Sequence, residues 1–205
     1  MTFDRCAFWR DPESQQATDD MRKYCRPDYY LGLDGITSGV TEALQRHGVT
    51  PDMSIMELGS GTGRNLAGLI RAGYHNVYGL DINQAAIDAG RAQWPELENV
   101  PTICGPIESV IGMLDTYDAI YTQGLFMHLD YSADWIFPVI ASKARHLLMT
   151  IEVEDWQEER PHCWRRDYGA IFTGLGWREV ESGHCGKIKG WTPLTIMRIF
   201  ARCDG

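Results

Sequence analysis

Gly59, Gly61 and Gly63 fall within five consecutive positions, directly after the apolar run 54–58 and directly before a segment of helical periodicity, residues 64–72. A glycine turn in that place lets backbone amides approach a ligand closely, and the start of the following helix favours negative charge. The chain must therefore run through a buried strand, turn tightly and leave as a helix. The alternation continues downstream, with strands expected at residues 76–82, 102–104, 117–123 and 146–153 and helices at 83–94 and 131–144. Asn83 is placed to cap the first of these helices and Pro95 to stop it. Strands alternating with helices specify a parallel sheet covered on both faces.

The end of the chain departs from that rhythm. Residues 168–174 read as a helix and residues 177–185 and 195–202 as strands. The eight residues 186–193 between those strands are too few for a crossover helix, so an antiparallel hairpin is expected. Ahead of the glycine turn, residues 36–47 form an amphipathic helical pattern. The 205 residues suffice for one core, so a single domain is expected, with 36–205 as its cofactor-binding core and 1–35 as an N-terminal lid segment.

Composition narrows the partners. The formal net charge of -9 and the lack of any Lys/Arg-rich run are the wrong footprint for wrapping a polyanion, so no nucleic-acid partner is expected. Apolar runs are far shorter than a membrane span requires, and no secretory signal pattern is evident. Six scattered cysteines without a CxxC pair read as reduced thiols in a cytoplasm. Nothing in the sequence sets the oligomeric state.

Two acidic residues sharpen the glycine turn. Asp81 closes the second strand, at the distance of a carboxylate that accepts hydrogen bonds from ribose hydroxyls. Glu57 lies inside the first strand, where a dinucleotide-binding enzyme would carry an apolar residue and where a carboxylate is costly without partners. A dinucleotide fingerprint would also need glycine at Arg64.

Ile55-Met56-Glu57-Leu58-Gly59-Ser60-Gly61-Thr62-Gly63, followed by Val77-Tyr78-Gly79-Leu80-Asp81-Ile82, resembles the first motif and acidic loop of class I S-adenosylmethionine-dependent methyltransferases, above all the small-molecule group. The resemblance covers roughly residues 36–205 and extends to the reversed terminal hairpin. It implies an α/β, Rossmann-like three-layer sandwich around a seven-stranded, mostly parallel sheet. It further implies that Gly59, Ser60, Gly61 and Gly63 wrap the methionyl moiety, that Glu57 faces its ammonium, that Asp81 holds the ribose and that Ile82 packs on the adenine. The family often has Gly-Asp-Ala after the third strand, its Asp reading the adenine amino group. This chain has Gly105-Pro106-Ile107-Glu108 instead, which leaves that task to the backbone at Ile107 or to Glu108. Gln123 matches a position that faces the sulfonium and the substrate.

Methyl transfer from a sulfonium needs a nucleophile held in line and water kept out, with a base only for a protonated nucleophile. Ligands bind beyond the C-terminal ends of the strands in open α/β sheets, so residues 123–128 and 152–156 should border the pocket. His128 is the candidate base, since imidazole titrates near neutrality, although a histidine here can also only hydrogen-bond near the cofactor. The acidic stretch Glu152, Glu154, Asp155, Glu158, Glu159 could receive a cationic amine or a divalent metal, with Glu152 the member expected to point inward; the stretch also reads as a solvated face. Tyr29 and Tyr30 could cover a sulfonium through cation–π attraction, Tyr30 touching the cofactor, or pack on the core. Trp156 and Trp164 are candidate substrate contacts, and Trp177 is expected to start the sixth strand as core. The pairs His162-Cys163 and His184-Cys185 lack an established ligand pattern, so no metal site is expected.

The function expected is methyl transfer from S-adenosylmethionine to an O or N atom of a small-molecule metabolite. A nicotinamide-dependent oxidoreductase shares the βαβ start but fits Glu57, the glycine spacing and the reversed hairpin poorly. A binding protein without catalysis remains open.

Overall fold

The computed structural model describes residues 4–11, 26–31, 35–154, 162–185 and 194–203. The expectations placed on Asp155, Trp156, Glu158 and Glu159, and on the linker 186–193, lie outside the described residues.

The strands are β1 (Ser54–Leu58), β2 (Asn76–Asp81), β3 (Thr102–Cys104), β4 (Tyr117–Gln123), β5 (Ala144–Val153), β6 (Trp177–His184) and β7 (Thr195–Arg202). They form one seven-stranded sheet in the order β3-β2-β1-β4-β5-β7-β6. The pairings among β1 to β5 are parallel, whereas β7 runs antiparallel to both β5 and β6. The mostly parallel sheet and the reversed terminal hairpin are therefore as the sequence implies. Strand order reverses between β1 and β4, which opens a crevice at their C-terminal ends.

Eight helices accompany the strands among the described residues: α1 (Arg5–Arg10), α2 (Pro27–Leu31), α3 (Gly35–Arg46), α4 (Arg64–Arg71), α5 (Gln84–Gln93), α6 (Ile107–Val110), α7 (Ile136–Lys143) and α8 (Tyr168–Gly174). Successive strand residues point to opposite faces, and both faces are covered. On one, Val40 and Leu44 of α3 and Leu66 and Leu69 of α4 pack against Ile55, Tyr121 and Ile151. On the other, Ile136 and Ile140 of α7 and Tyr168 and Phe172 of α8 pack against Met56, Ile120 and Leu148. Trp177 belongs to this second core, as expected of the residue that opens β6.

Local signals explain most element ends. Asn83 caps α5, its side chain accepting from Ala86 N at 3.1 Å, and Pro95 begins a separate 3-10 turn, Pro95–Leu97. The single helix expected over 131–144 is instead a 3-10 turn, Tyr131–Ala133, followed by α7 from Ile136. Pro138 supplies the reason. Proline has no N–H and is tolerated only in a first turn, where that donor lacks an intrahelical partner anyway, so the helix must start just before it.

The N-terminal segment is docked on the core. Asp4 caps α1 by accepting from Ala7 N at 3.0 Å, and Phe8 is fully buried.

Candidate active site

The glycine turn and the ends of β1, β2 and β4 line one cleft of roughly 1110 Å3, a volume that includes space open to solvent. Gly59, Gly61 and Gly63 have φ of 76°, 54° and 76°, a left-handed backbone that L side chains adopt at a cost. A Cβ on Gly63 would sit 2.8 Å from Leu97 Cδ1, whereas one on Gly61 would meet no heavy atom within 4 Å. The turn therefore packs against the protein at Gly63 and is open at Gly61. It is fixed by Gly59 N and Ser60 N, which donate to Leu80 O at 2.7 and 2.9 Å, and by Gly61 N, which donates to Asp81 Oδ2 at 2.6 Å. Asp81 also accepts from Asn83 N at 2.8 Å through Oδ1. A carboxylate has about four acceptor positions, so these amides leave room for a hydroxyl donor. Burial raises the Asp81 carboxyl above its ordinary value, while the amides of Asn83, Gly61 and Ile82 oppose that shift.

Glu57, Tyr121 and Gln123 share one face of the sheet, opposite α4. Asn65 of α4 donates through Nδ2 to Glu57 Oε1 at 2.7 Å and to Gln123 Oε1 at 3.0 Å, tying the two strand ends together. Glu57 Oε2 and Ser60 Oγ are buried without a hydrogen-bond partner. Burial pushes Glu57 up to about 7, against the pull of Asn65, of the Tyr121 hydroxyl and of the charge on Arg64. Such a carboxyl is unfinished: a cationic donor beside Oε2 would restore its charge and satisfy the orphaned oxygen.

Ile82, Ile107 and Glu108 line the far end of the cleft, and Tyr30 a wall. Glu108 takes the guanidinium of Arg5 in an ion pair, so α1 reaches the place left for adenine recognition. Tyr30 also presents its carbonyl to Arg64 Nη1 at 3.3 Å.

His128 also lines the cleft, with the Trp9 ring 4.5 Å from its own. Its Nδ1 lies 2.9 Å from His162 O. Burial lowers His128 to about 4, so the ring is neutral at ordinary pH.

Glu152 corrects an expectation. It does not line the cleft. Its carboxylate is fully buried beneath the loop that follows β4, accepting from Leu125 N and Phe126 N at 3.0 Å, Met127 N at 3.2 Å and Thr122 Oγ1 at 3.1 Å. Strand alternation is the cause. Gln123 pairs with Ile151, so Glu152, one residue on, joins Thr122 and Thr150 on the opposite face.

A family profile described as a methyltransferase domain matches residues 55–147, which span the glycine turn, Asp81 and His128. Residues 55–147 thus carry a methyltransferase domain. The fold around it is that of S-adenosylmethionine-dependent methyltransferases. Solved structures of similar fold include magnesium protoporphyrin IX methyltransferase from Synechocystis PCC 6803 with bound S-adenosylmethionine, at 16% identity and TM-score 0.72, covering 98% of this chain and 99% of that one. An S-adenosylmethionine-dependent methyltransferase from Clostridium acetobutylicum ATCC 824 aligns at 10% identity and TM-score 0.65 over 84% and 92% of the two chains. An O-methyltransferase family protein from Burkholderia thailandensis aligns at 12% identity and TM-score 0.66 over 97% and 64%. A search of curated proteins returned no match.

The methyltransferase cleft thus gathers Tyr30, Glu57, Gly59, Ser60, Gly61, Asp81, Ile82, Ile107, Glu108, Gln123 and His128, with Gly63 buried just behind the turn. It also gathers residues the sequence did not single out. Arg64 and Asn65 open α4 and line the cleft. A signal for Arg64 existed: a cation in the first turn of a helix opposes the helix dipole, so it calls for another reason to be there. Arg5, Cys6 and Trp9 also line the cleft, but six helical residues leave too little periodicity to read. Trp164 serves the site through its backbone, its N–H donating to Met127 O at 2.8 Å. Among the described residues no group of three His, Cys, Asp or Glu side chains could hold a metal ion.

Proposed function

We propose that this methyltransferase transfers a methyl group to an O or N atom of a small-molecule metabolite, within a single domain whose N-terminal segment serves as lid. The observation that carries the reading is the position of α1. Phe8 is anchored in the protein while Arg5, Cys6 and Trp9 line the cleft, which narrows its entrance in a way that suits a small acceptor better than a polymer. The net charge of -9 agrees with a substrate that is not a nucleic acid. Free cysteines at 6, 104, 163, 185 and 203 fit a cytoplasmic setting, and no helix among the described residues is long and apolar enough to cross a membrane.

Bound S-adenosylmethionine supplies a sulfonium methyl group open to in-line displacement. In this reading Gly59, Ser60, Gly61 and Gly63 cradle the methionyl portion and Glu57 Oε2 accepts from its ammonium. Asp81 accepts from the ribose hydroxyls, and Ile82, Ile107 and Glu108 border the base. Gln123 and Tyr30 flank the reacting centre, and His128 takes the proton of the acceptor. Trp9 and Leu125 exclude water beside it. Glu152 is a brace for the loop that carries His128.

The test measures S-adenosylhomocysteine release with panels of phenolic, carboxylic and amine metabolites, alongside tRNA, duplex DNA and protein. Turnover on a small-molecule class is expected. Methyl incorporation confined to a macromolecule would reject the proposal.

A further inference from the structure

His162 has φ of 70° and is the one non-glycine residue in the left-handed region among the described residues. A side chain held there costs energy and persists only where its surroundings over-determine it. Those surroundings are visible. The Phe8 ring stacks on the His162 ring at 5.2 Å with an interplanar angle of 25°. Two residues on, Trp164 N donates to Met127 O. Arg166 Nη1 donates to Leu129 O at 2.8 Å and to Phe126 O at 3.3 Å, while its Nε and Nη2 hold Asp134. Segment 162–166 is thereby clamped along the loop that carries His128, and the left-handed turn at its start places the His162 carbonyl 2.9 Å from His128 Nδ1.

We infer that His162 is a positioning residue for His128: its carbonyl, delivered from the strained turn, selects the imidazole tautomer that keeps Nε2 as proton acceptor. A carbonyl oxygen can only accept, so Nδ1 must carry the hydrogen and Nε2 the lone pair. The other groups around His128 are Arg5, the His162 ring, the Cys163 thiol, whose Sγ lies 3.9 Å from Nδ1, and the Trp9 ring. Arg5 in turn is paired with Glu108 and, at 3.7 Å, with Asp130. Orientation by a carbonyl, unlike orientation by a carboxylate, fixes the ring without placing an anion against it. This inference rests on the reading of His128 as the base. In that step the acceptor's O–H or N–H bond breaks, its proton passes to Nε2, its electron pair forms the new bond to the methyl carbon, and the C–S bonding pair returns to sulfur.

The test is long-range 1H–15N correlation on histidine-labelled full-length protein at pH 7. The wild type is expected to show His128 as the neutral Nδ1–H tautomer. His162→Gly, at ease in the left-handed region, should keep it. His162→Val, which resists that region, should convert His128 to a mixture or to the Nε2–H tautomer, with turnover falling about a hundredfold and S-adenosylhomocysteine affinity unchanged. An Nε2–H tautomer in the wild type, or an unaltered Nδ1–H tautomer in folded His162→Val, overturns the inference. Should His162→Val not fold, the wild-type and His162→Gly spectra decide it alone. Full turnover in His128→Ala would reject the base reading while leaving the carbonyl lock standing, so the two failures are distinguishable.

Discussion

Replacing Glu152 separates a brace from a catalytic carboxylate. The side chain is fully buried, and four donors converge on it: Leu125 N, Phe126 N, Met127 N and Thr122 Oγ1. In Glu152→Ala all four lose their acceptor, and two of them, Phe126 N and Thr122 Oγ1, are in bonds fully shielded from water. Each buried unsatisfied donor costs about 1–3 kcal/mol, so the loss should be about 4 kcal/mol, a large part of an ordinary domain's stability. Glu152→Gln keeps the shape, and its carbonyl can retain the three bonds now made to Oε1. Its amide nitrogen must then face Met127 N, donor against donor, at the longest of the four contacts. That variant should lose only about 1 kcal/mol. Urea unfolding midpoints read both values, and S-adenosylhomocysteine titration shows whether the cleft survives. A Glu152→Gln protein of wild-type stability and cofactor affinity but without turnover would refute the brace and restore a catalytic role.

Three further outcomes are expected. Gly90→Ala would bring a Cβ within 1.7 Å of Thr62 O, so α5 must retreat from the glycine turn; a lower thermal midpoint together with weaker S-adenosylhomocysteine binding by calorimetry should result. His128 is lowered by burial to about 4, against an ordinary value near 6.5, so the unfolded chain takes up its proton first as pH falls. Its contribution to stability is therefore complete above pH 6.5 and is lost between about 6.5 and 4, at most about 3 kcal/mol; comparing urea midpoints of wild type and His128→Gln across that window isolates it. Asp81→Ala removes the acceptor for Gly61 N and for the proposed ribose contact, and cofactor affinity should fall about tenfold or more in titration.

Much of the fold was legible because buried parallel strands leave short apolar runs and the turns between them carry their own chemistry. β1, β3, β4 and β7 have the bounds read from sequence, and Asn83 caps its helix as its side chain allows. The donor half of the cleft was equally legible, since a left-handed turn needs glycine and a buried carboxyl such as Glu57 has few other uses. The rest depends on distance in space. That Arg5 meets Glu108, or that Phe8 rests on His162, follows from a chain reversal over more than a hundred residues that no local pattern encodes. Glu152 was misplaced for a subtler reason. Strand alternation puts it on the face away from Gln123, and the loop after β4 closes over that face.

Calorimetric titration of the purified chain with S-adenosylhomocysteine and, separately, with NAD tests the central claim most directly. The geometry of Glu57, the glycine turn and Asp81 predicts one S-adenosylhomocysteine site per chain and no heat from NAD. Saturable binding of NAD with none of S-adenosylhomocysteine would contradict it.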